Sequence, residues 1–215
     1  MIIVFEGLDK SGKTTGLNIA NQYLKEHYNE DTEVISEVGS NSTGLGSMIK
    51  DILSKISLDD TTQFYLISAV RSYMKNELEK LNKTKIILMD RYYISTQVYQ
   101  SNVFKYLNRP RPFVIKSLYD EIILNTTLPI DGLMYFESSI DTIKQRLDNT
   151  RNLDNLEYKI KKDVSRYFML YNYFIHKLPT HLPIVKINTD PGKSNVRQLV
   201  LDGIDTIMRN RYIRS

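Results

Sequence analysis

The sequence contains no cysteine and no tryptophan. Without thiols there can be no disulfide framework, no thiolate zinc site and no Cys nucleophile. Its three histidines, His27, His176 and His181, stand apart, and none has a second ligand at metal-binding spacing. No apolar run approaches the ~20 residues that a helix needs to cross a bilayer. The opening MIIVFEGLDK carries no basic stretch ahead of its apolar residues, so it does not read as a signal peptide, and a cytoplasmic location is the expectation. Neither sign of charge dominates: 29 Lys and Arg face 25 Asp and Glu, for a net charge of +4. That is not the profile of a dedicated nucleic-acid binder, so neither nucleic acid nor membrane is expected as a partner. The densest basic patch, Lys159, Lys161 and Lys162 with Arg166 close behind, reads as a solvated helix face or as a wall facing anionic phosphates.

What is present is an ordinary core, with 41% hydrophobic residues over 215 positions, enough for one domain spanning 1–215. Short apolar runs alternate with longer helical patterns. Ile2–Phe5, Thr32–Glu37, Ile86–Met89, Gly132–Phe136 and Pro183–Ile187 read as strands. A helix is expected from Lys13 to about Tyr28, and a Gly/Ser/Asn-rich loop is expected to run through Gly46. Helical spacing then recurs through Met48, Ile49, Ile52 and Leu53, and again from Phe64 to Leu81. Continuous apolar strands separated by helices indicate an α/β protein with a mainly parallel sheet covered on both faces. The polar segment of about 146–157 is the expected lid. Tyr167, Tyr171 and Tyr173, with Phe168 and Phe174, fall at a spacing that fits core or a dimer face.

One motif carries chemistry. Gly7-Leu8-Asp9-Lys10-Ser11-Gly12-Lys13-Thr14 fits G-x-x-x-x-G-K-[ST], directly after one strand and at the start of a helix. Such a loop wraps its backbone N–H groups around a diphosphate, and the helix N-terminus adds its positive dipole end. Gly7, Ser11, Gly12, Lys13, Thr14 and Thr15 are therefore the expected ATP-phosphate site. Lys13 would reach the β- and γ-phosphates and Thr14 would ligate Mg²⁺. The expected fold is thus a three-layer P-loop NTPase, with about five strands, helices on both faces and a short lid. A second signal, Asp90-Arg91-Tyr92, follows the strand Ile86–Met89. Ligands in open α/β sheets sit beyond the strands' carboxyl ends, so this pair belongs beside the P-loop. Asp90 would hold Mg²⁺ through water or receive the acceptor's proton, and Arg91 would clamp phosphate.

These residues resemble the thymidylate kinase family. Phe5-Glu6-Gly7-Leu8-Asp9-Lys10-Ser11-Gly12-Lys13-Thr14-Thr15 is similar to that family's opening, and Asp90-Arg91-Tyr92-Tyr93-Ile94-Ser95-Thr96-Gln97-Val98-Tyr99-Gln100 to its D-R-[YH]-x-x-S-x-x-[AV]-[YF]-Q block. Ser68-Ala69-Val70-Arg71 matches S-A-x-R, and Arg146, Arg151 and Glu157 follow in the expected order. The resemblance implies transfer of the ATP γ-phosphoryl group to a deoxynucleoside monophosphate, dTMP above all, by a Mg²⁺-dependent homodimer. It places Asp9 on the sugar 3′-hydroxyl and Tyr99 where a ribose 2′-hydroxyl would sit. Arg71 and Thr96, with Gln97, would read the base edge. Lys10 and the lid residue Arg151 would join Lys13, Arg91 and Mg²⁺ in absorbing transition-state charge, with Asp90 serving the metal. The sequence also departs from the pattern. Ile67 stands where a Phe stacks on thymine, so aliphatic packing replaces the stack or Phe64 or Tyr65 reaches in. Ser36-Glu37-Val38-Gly39 lacks the Arg and Pro of R-E-P-G, and Asp154-Asn155-Leu156-Glu157 lacks the Arg of D-R-x-E. Those departures leave open a monophosphate kinase with another base preference or a weakly active ATP-binding homologue. A deoxynucleoside kinase would carry E-R-S rather than Asp90-Arg91-Tyr92. A GTP-binding switch would need N-K-x-D, and Asn82-Lys83-Thr84-Lys85 lacks the Asp.

Overall fold

The computed structural model describes residues 1–36, 38, 44–100, 112–191 and 195–214. Glu37 and Gly39 of the departing segment lie outside them. Five strands form one parallel sheet: β1 (Ile2–Glu6), β2 (Thr32–Ser36), β3 (Ile86–Asp90), β4 (Gly132–Glu137) and β5 (Ile184–Asn188). Their order is β2-β3-β1-β4-β5. β1 lies between β3 and β4, with Phe5 beside Asp90 and Glu6 beside Tyr135. The P-loop therefore leaves the middle of the sheet at its carboxyl edge, next to Asp90 and Arg91.

Alternation along β1 divides the core into two layers. Ile3 and Phe5 face α1 (Lys13–His27) and α9 (Val196–Arg214), packing with Leu17, Leu24, Ile204 and Met208. Ile2 and Val4 face the opposite side, among Val70 and Met74 of α3 (Asp60–Leu81) and Val98 of α4 (Tyr93–Tyr99). Tyr167 and Tyr171 of α8 (Val164–His176) complete that layer. Strands that are apolar on both faces are what a sheet sandwiched between helices requires. The remaining helices are α2 (Gly44–Lys55), α5 (Pro112–Thr126), α6 (Ile140–Asp148) and α7 (Asn155–Lys162). None of the described helices is long and apolar enough to cross a membrane.

The helix α2 begins at Gly44, where glycine and serine content suggested a loop to Gly46. Gly46 and Ile49 are buried, so packing against α3 outweighs weak local propensity. The segment expected to form the lid is not one unit. Its first residues belong to α6, residues 149–154 connect, and α7 follows with a capping box of Asp154 and Glu157. The tyrosine cluster also divides. Tyr167 is 2% and Tyr171 0% exposed, so neither can form a dimer face, whereas Tyr173 is 57% exposed.

Candidate active site

The P-loop wraps as its sequence requires. Gly7 (φ 143°) and Gly12 (φ 88°) adopt backbone conformations that favour glycine. A Cβ on Gly7 would lie 2.2 Å from the Phe136 carbonyl oxygen, so the loop runs directly against β4. It is braced from outside by residues that no motif announced. Thr189, just past β5, donates from Oγ1 to the Ser11 carbonyl at 2.7 Å. Arg146 of α6 donates to the Lys10 carbonyl at 2.8 Å and to the Thr189 carbonyl at 2.7 Å. Arg146 thus braces the P-loop.

Lys13 is buried and donates to the Leu8 carbonyl at 2.9 Å. Burial, with the Arg91 charge adding to it, brings its pKa down to about 8. The charges of Asp9, Asp90 and Glu6 offset that penalty only in part. Around it opens a pocket of about 570 Å³ lined by Lys10, Gly12, Thr14, Thr15, Arg146 and Glu157 among others. Lys10 (φ 64°) points across this pocket to Glu157 of α7, with Nζ and Oε1 2.7 Å apart.

A second cavity, of about 380 Å³, lies on the other side of Asp9. Asp9 lines both, which makes it the point where a donor and an acceptor would meet. Ile67, Asp90, Arg91, Thr96, Tyr99 and Gln100 are among the walls of the second cavity. Arg91 sits at φ 68° and is held from several sides. Its Nη2 pairs with Asp9 Oδ1 at 2.5 Å, and its Nη1 reaches the Gly7 carbonyl at 3.1 Å and the hydroxyls of Ser95, Tyr99 and Tyr171 at 3.0–3.2 Å. Burial alone would raise the Asp9 carboxyl, but the charges of Arg91, Lys13 and Lys10 together hold it below its ordinary value.

Beneath Arg91 lies a residue that the motif reading did not weigh. Glu6 is fully buried and accepts from the Tyr92 and Ser95 N–H groups at 2.9 and 3.1 Å, from Ser95 Oγ at 2.6 Å and from the Tyr171 hydroxyl at 3.1 Å. It therefore caps α4 from a distant strand. Burial pushes its carboxyl up, against the pull of Arg91 and these hydrogen bonds. A carboxylate ending a strand of buried apolar residues was itself a signal, because such groups stay buried only when fully partnered.

Asp90 is left with a buried Oδ1 lacking any partner, as are Oδ2 of Asp9 and Oγ of Ser11. Thr14 is exposed at the mouth of the phosphate pocket. Hard oxygen donors of this kind suit Mg²⁺, which keeps most of its waters and takes one or two protein ligands. No cluster of three or more His, Cys, Asp or Glu exists among the described residues, so the carboxylate cage of a dedicated protein metal site is not found there.

Of the residues expected to read the base, Ile67 and Thr96 line the cavity, but Gln97 does not. Gln100, one helical turn beyond Thr96, does. Arg71 is 1% exposed and stands behind Thr96, donating to its Oγ1 at 2.6 Å. Phe64 stacks on Tyr119, with ring centres 4.4 Å apart, and Tyr65 is 52% exposed. Neither lines the cavity, so the aliphatic Ile67 faces it where a stacking ring was expected. Arg151 is exposed and lines neither cavity. The basic patch is largely committed internally. Lys159 pairs with Asp60 at 2.5 Å and Lys161 with Asp148 at 2.6 Å. Lys162 and Arg166 lie over the rings of Tyr158 and Tyr167.

The family model described as thymidylate kinase matches residues 5–197. A thymidylate kinase of Mesoplasma florum is 27% identical over 95% of this chain and 97% of its own length. One from Campylobacter hominis is 28% identical over 79% and 87% respectively. The chain also shares its fold with the crystal structure of thymidylate kinase from Ehrlichia chaffeensis, with a TM-score of 0.64 and 22% identity over 97% of this chain and 98% of that one.

Proposed function

This chain belongs to the thymidylate kinase family, and we infer that it transfers the γ-phosphoryl group of ATP to dTMP, giving dTDP and ADP. The observation that carries this reading is the placement of Asp9 on the wall shared by the two cavities, one lined by the P-loop and the other by Asp90, Arg91 and Tyr99.

The acceptor's phosphate oxygen is already anionic, so in-line attack on the γ-phosphorus calls for positioning and charge neutralisation more than for a strong base. Lys13 exchanges the Leu8 carbonyl for the β- and γ-phosphates, and its proton is held more firmly as it does so. Lys10 leaves Glu157 for the transferring group. Arg91, already fixed in direction by the Gly7 carbonyl and the hydroxyls of Ser95, Tyr99 and Tyr171, offers its guanidinium to the acceptor phosphate. Asp9 then turns to the sugar hydroxyl. Thr14 and Asp90 would hold Mg²⁺, which would supply positive charge to offset that of the phosphates. Tyr99 is buried against Arg91 and fills the space that a 2′-hydroxyl would need. Closure of α7 over the pocket, with Arg151 brought inward, excludes water and suppresses ATP hydrolysis.

The family resemblance also supports a cytoplasmic homodimer. Exposed Tyr65 and Tyr73 on α3, with Leu118 and Leu124 on α5, offer apolar area for such a contact. The function is tested by supplying ATP and Mg²⁺ with each deoxynucleoside monophosphate in turn and resolving the diphosphates. Rapid dTDP formation is expected. A preference for another monophosphate would move the base specificity, and no diphosphate from any of them would reject the reading.

A further inference from the structure

The base end of the acceptor cavity contains two glutamines whose amide orientations are fixed by the backbone. Gln63 Nε2 lies 2.8 Å from the Leu58 carbonyl oxygen. A carbonyl can only accept, so this contact determines which end of the Gln63 amide is nitrogen. Gln63 Oε1 consequently faces Gln100 and accepts from its Nε2 at 3.0 Å. That contact turns Gln100 Oε1 the other way. The oxygen is buried and without a partner, on a side chain only 4% exposed, and both glutamines line the cavity. A buried amide oxygen is unfavourable unless a donor arrives, and a base seated in this cavity can bring one.

Thr96 lies one turn before Gln100 on α4, accepting the Gln100 N–H at 3.0 Å, so the two side chains share a face. Its hydroxyl oxygen already accepts from the Arg71 guanidinium at 2.6 Å, which leaves the hydroxyl proton to be given. The wall therefore presents a donor beside an acceptor. A 4-oxopyrimidine offers the complementary edge, a carbonyl beside a ring N–H. Cytosine offers the reverse, an amino group beside a ring nitrogen whose lone pair would face the lone pairs of Gln100.

We propose that Gln63 is a positioning residue, which holds the Gln100 amide with its oxygen toward the acceptor and so selects a 4-oxopyrimidine over cytosine. The proposal rests on the monophosphate kinase reading above and assigns the origin of its base preference to a residue that acts through another.

The test measures dissociation constants for dTMP and dCMP by calorimetry, and KM and kcat for dTMP and ATP. It compares the wild type with Gln63→Met, Gln100→Leu and the double variant of both. Met cannot accept from Gln100, whose amide is then free to turn. The dTMP-over-dCMP binding ratio is expected to fall about tenfold or more, the scale of one lost discriminating hydrogen bond. KM for dTMP should rise while KM for ATP stays within about twofold, since the ATP pocket does not include residue 63. On a Gln100→Leu background, Gln63→Met should not change the ratio further. The proposal is overturned if Gln63→Met weakens dTMP and dCMP equally, if it lowers the ratio further on the Gln100→Leu background, or if the wild type binds dCMP at least as tightly as dTMP. Binding is read apart from turnover. A wild type that discriminates by binding yet forms no diphosphate would reject the kinase reading and leave the relay standing.

Discussion

Replacing Lys13 by Met should make the unliganded protein more stable at pH 7 while removing its activity. The lysine is 6% exposed, and burial lowers its pKa from the ordinary 10.5 to about 8. At about 1.4 kcal/mol per tenfold change in acidity, that fall corresponds to about 3 kcal/mol of unfavourable burial. Met fills similar volume without charge, but the Leu8 carbonyl loses its partner, which takes back about 1 kcal/mol. The expected net gain is about 2 kcal/mol, or about 4–8 °C in Tm for a chain of this size. The sign of the pH dependence follows from the lowered pKa. Below pH 8 both folded and unfolded lysine are protonated, and the wild type carries the full penalty. Between pH 8 and 10.5 the folded lysine loses its proton first, so the wild type gains stability with rising pH and the gap closes. Urea denaturation from pH 6 to pH 10.5, with and without ATP, measures all of this. ATP should raise the Tm of the wild type and leave that of Lys13→Met nearly unmoved, because the stabilisation comes from ligand binding to the native state. A variant less stable than wild type at pH 7, or one stabilised equally by ATP, would refute the reasoning.

Other perturbations separate the parts of the site. Tyr171→Phe removes the hydroxyl that reaches Arg91, Ser95 and Glu6. It should reduce stability by about 1–2 kcal/mol in urea denaturation and raise KM for dTMP with KM for ATP unchanged. Glu157→Gln frees Lys10 from its ion pair. Because Lys10 is one-third exposed, stability should change by less than about 1 kcal/mol, while protease cleavage near residues 149–154 should quicken as α7 loosens. Asp90→Asn should raise the Mg²⁺ concentration for half-maximal activity about tenfold or more, as a Mg²⁺ titration of the initial rate would show.

The parts of this molecule that could be read from the chain are those in which local pattern and global role coincide. Ile2–Phe5, Ile86–Met89 and Gly132–Phe136 are continuous apolar runs because helices cover both sheet faces, and a buried parallel strand has no other pattern. The P-loop was legible because its glycines, Lys13 and Thr14 occupy fixed spacing between such a strand and a helix. The supports of the site were not. Glu6 caps α4 across more than eighty positions of sequence, and Thr189 braces Ser11 from the far end of the chain. Periodicity placed Tyr171 in the core, which is correct for its ring, but cannot say that its hydroxyl ends on Arg91 and Glu6. Gln97 and Gln100 are chemically alike on one short helix, and only the direction of α4 decides which of them faces the acceptor. Arg146 looked like a lid residue because its neighbours are polar, yet α6 carries it against the P-loop.

The most direct test of the central claim follows the phosphoryl group itself. The enzyme is supplied with Mg²⁺, dTMP and ATP labelled in its γ-phosphate. The account predicts label in the β-phosphate of dTDP, in step with ADP formation and with little free phosphate. Label released only as inorganic phosphate, or no transfer to dTMP at all, would contradict it.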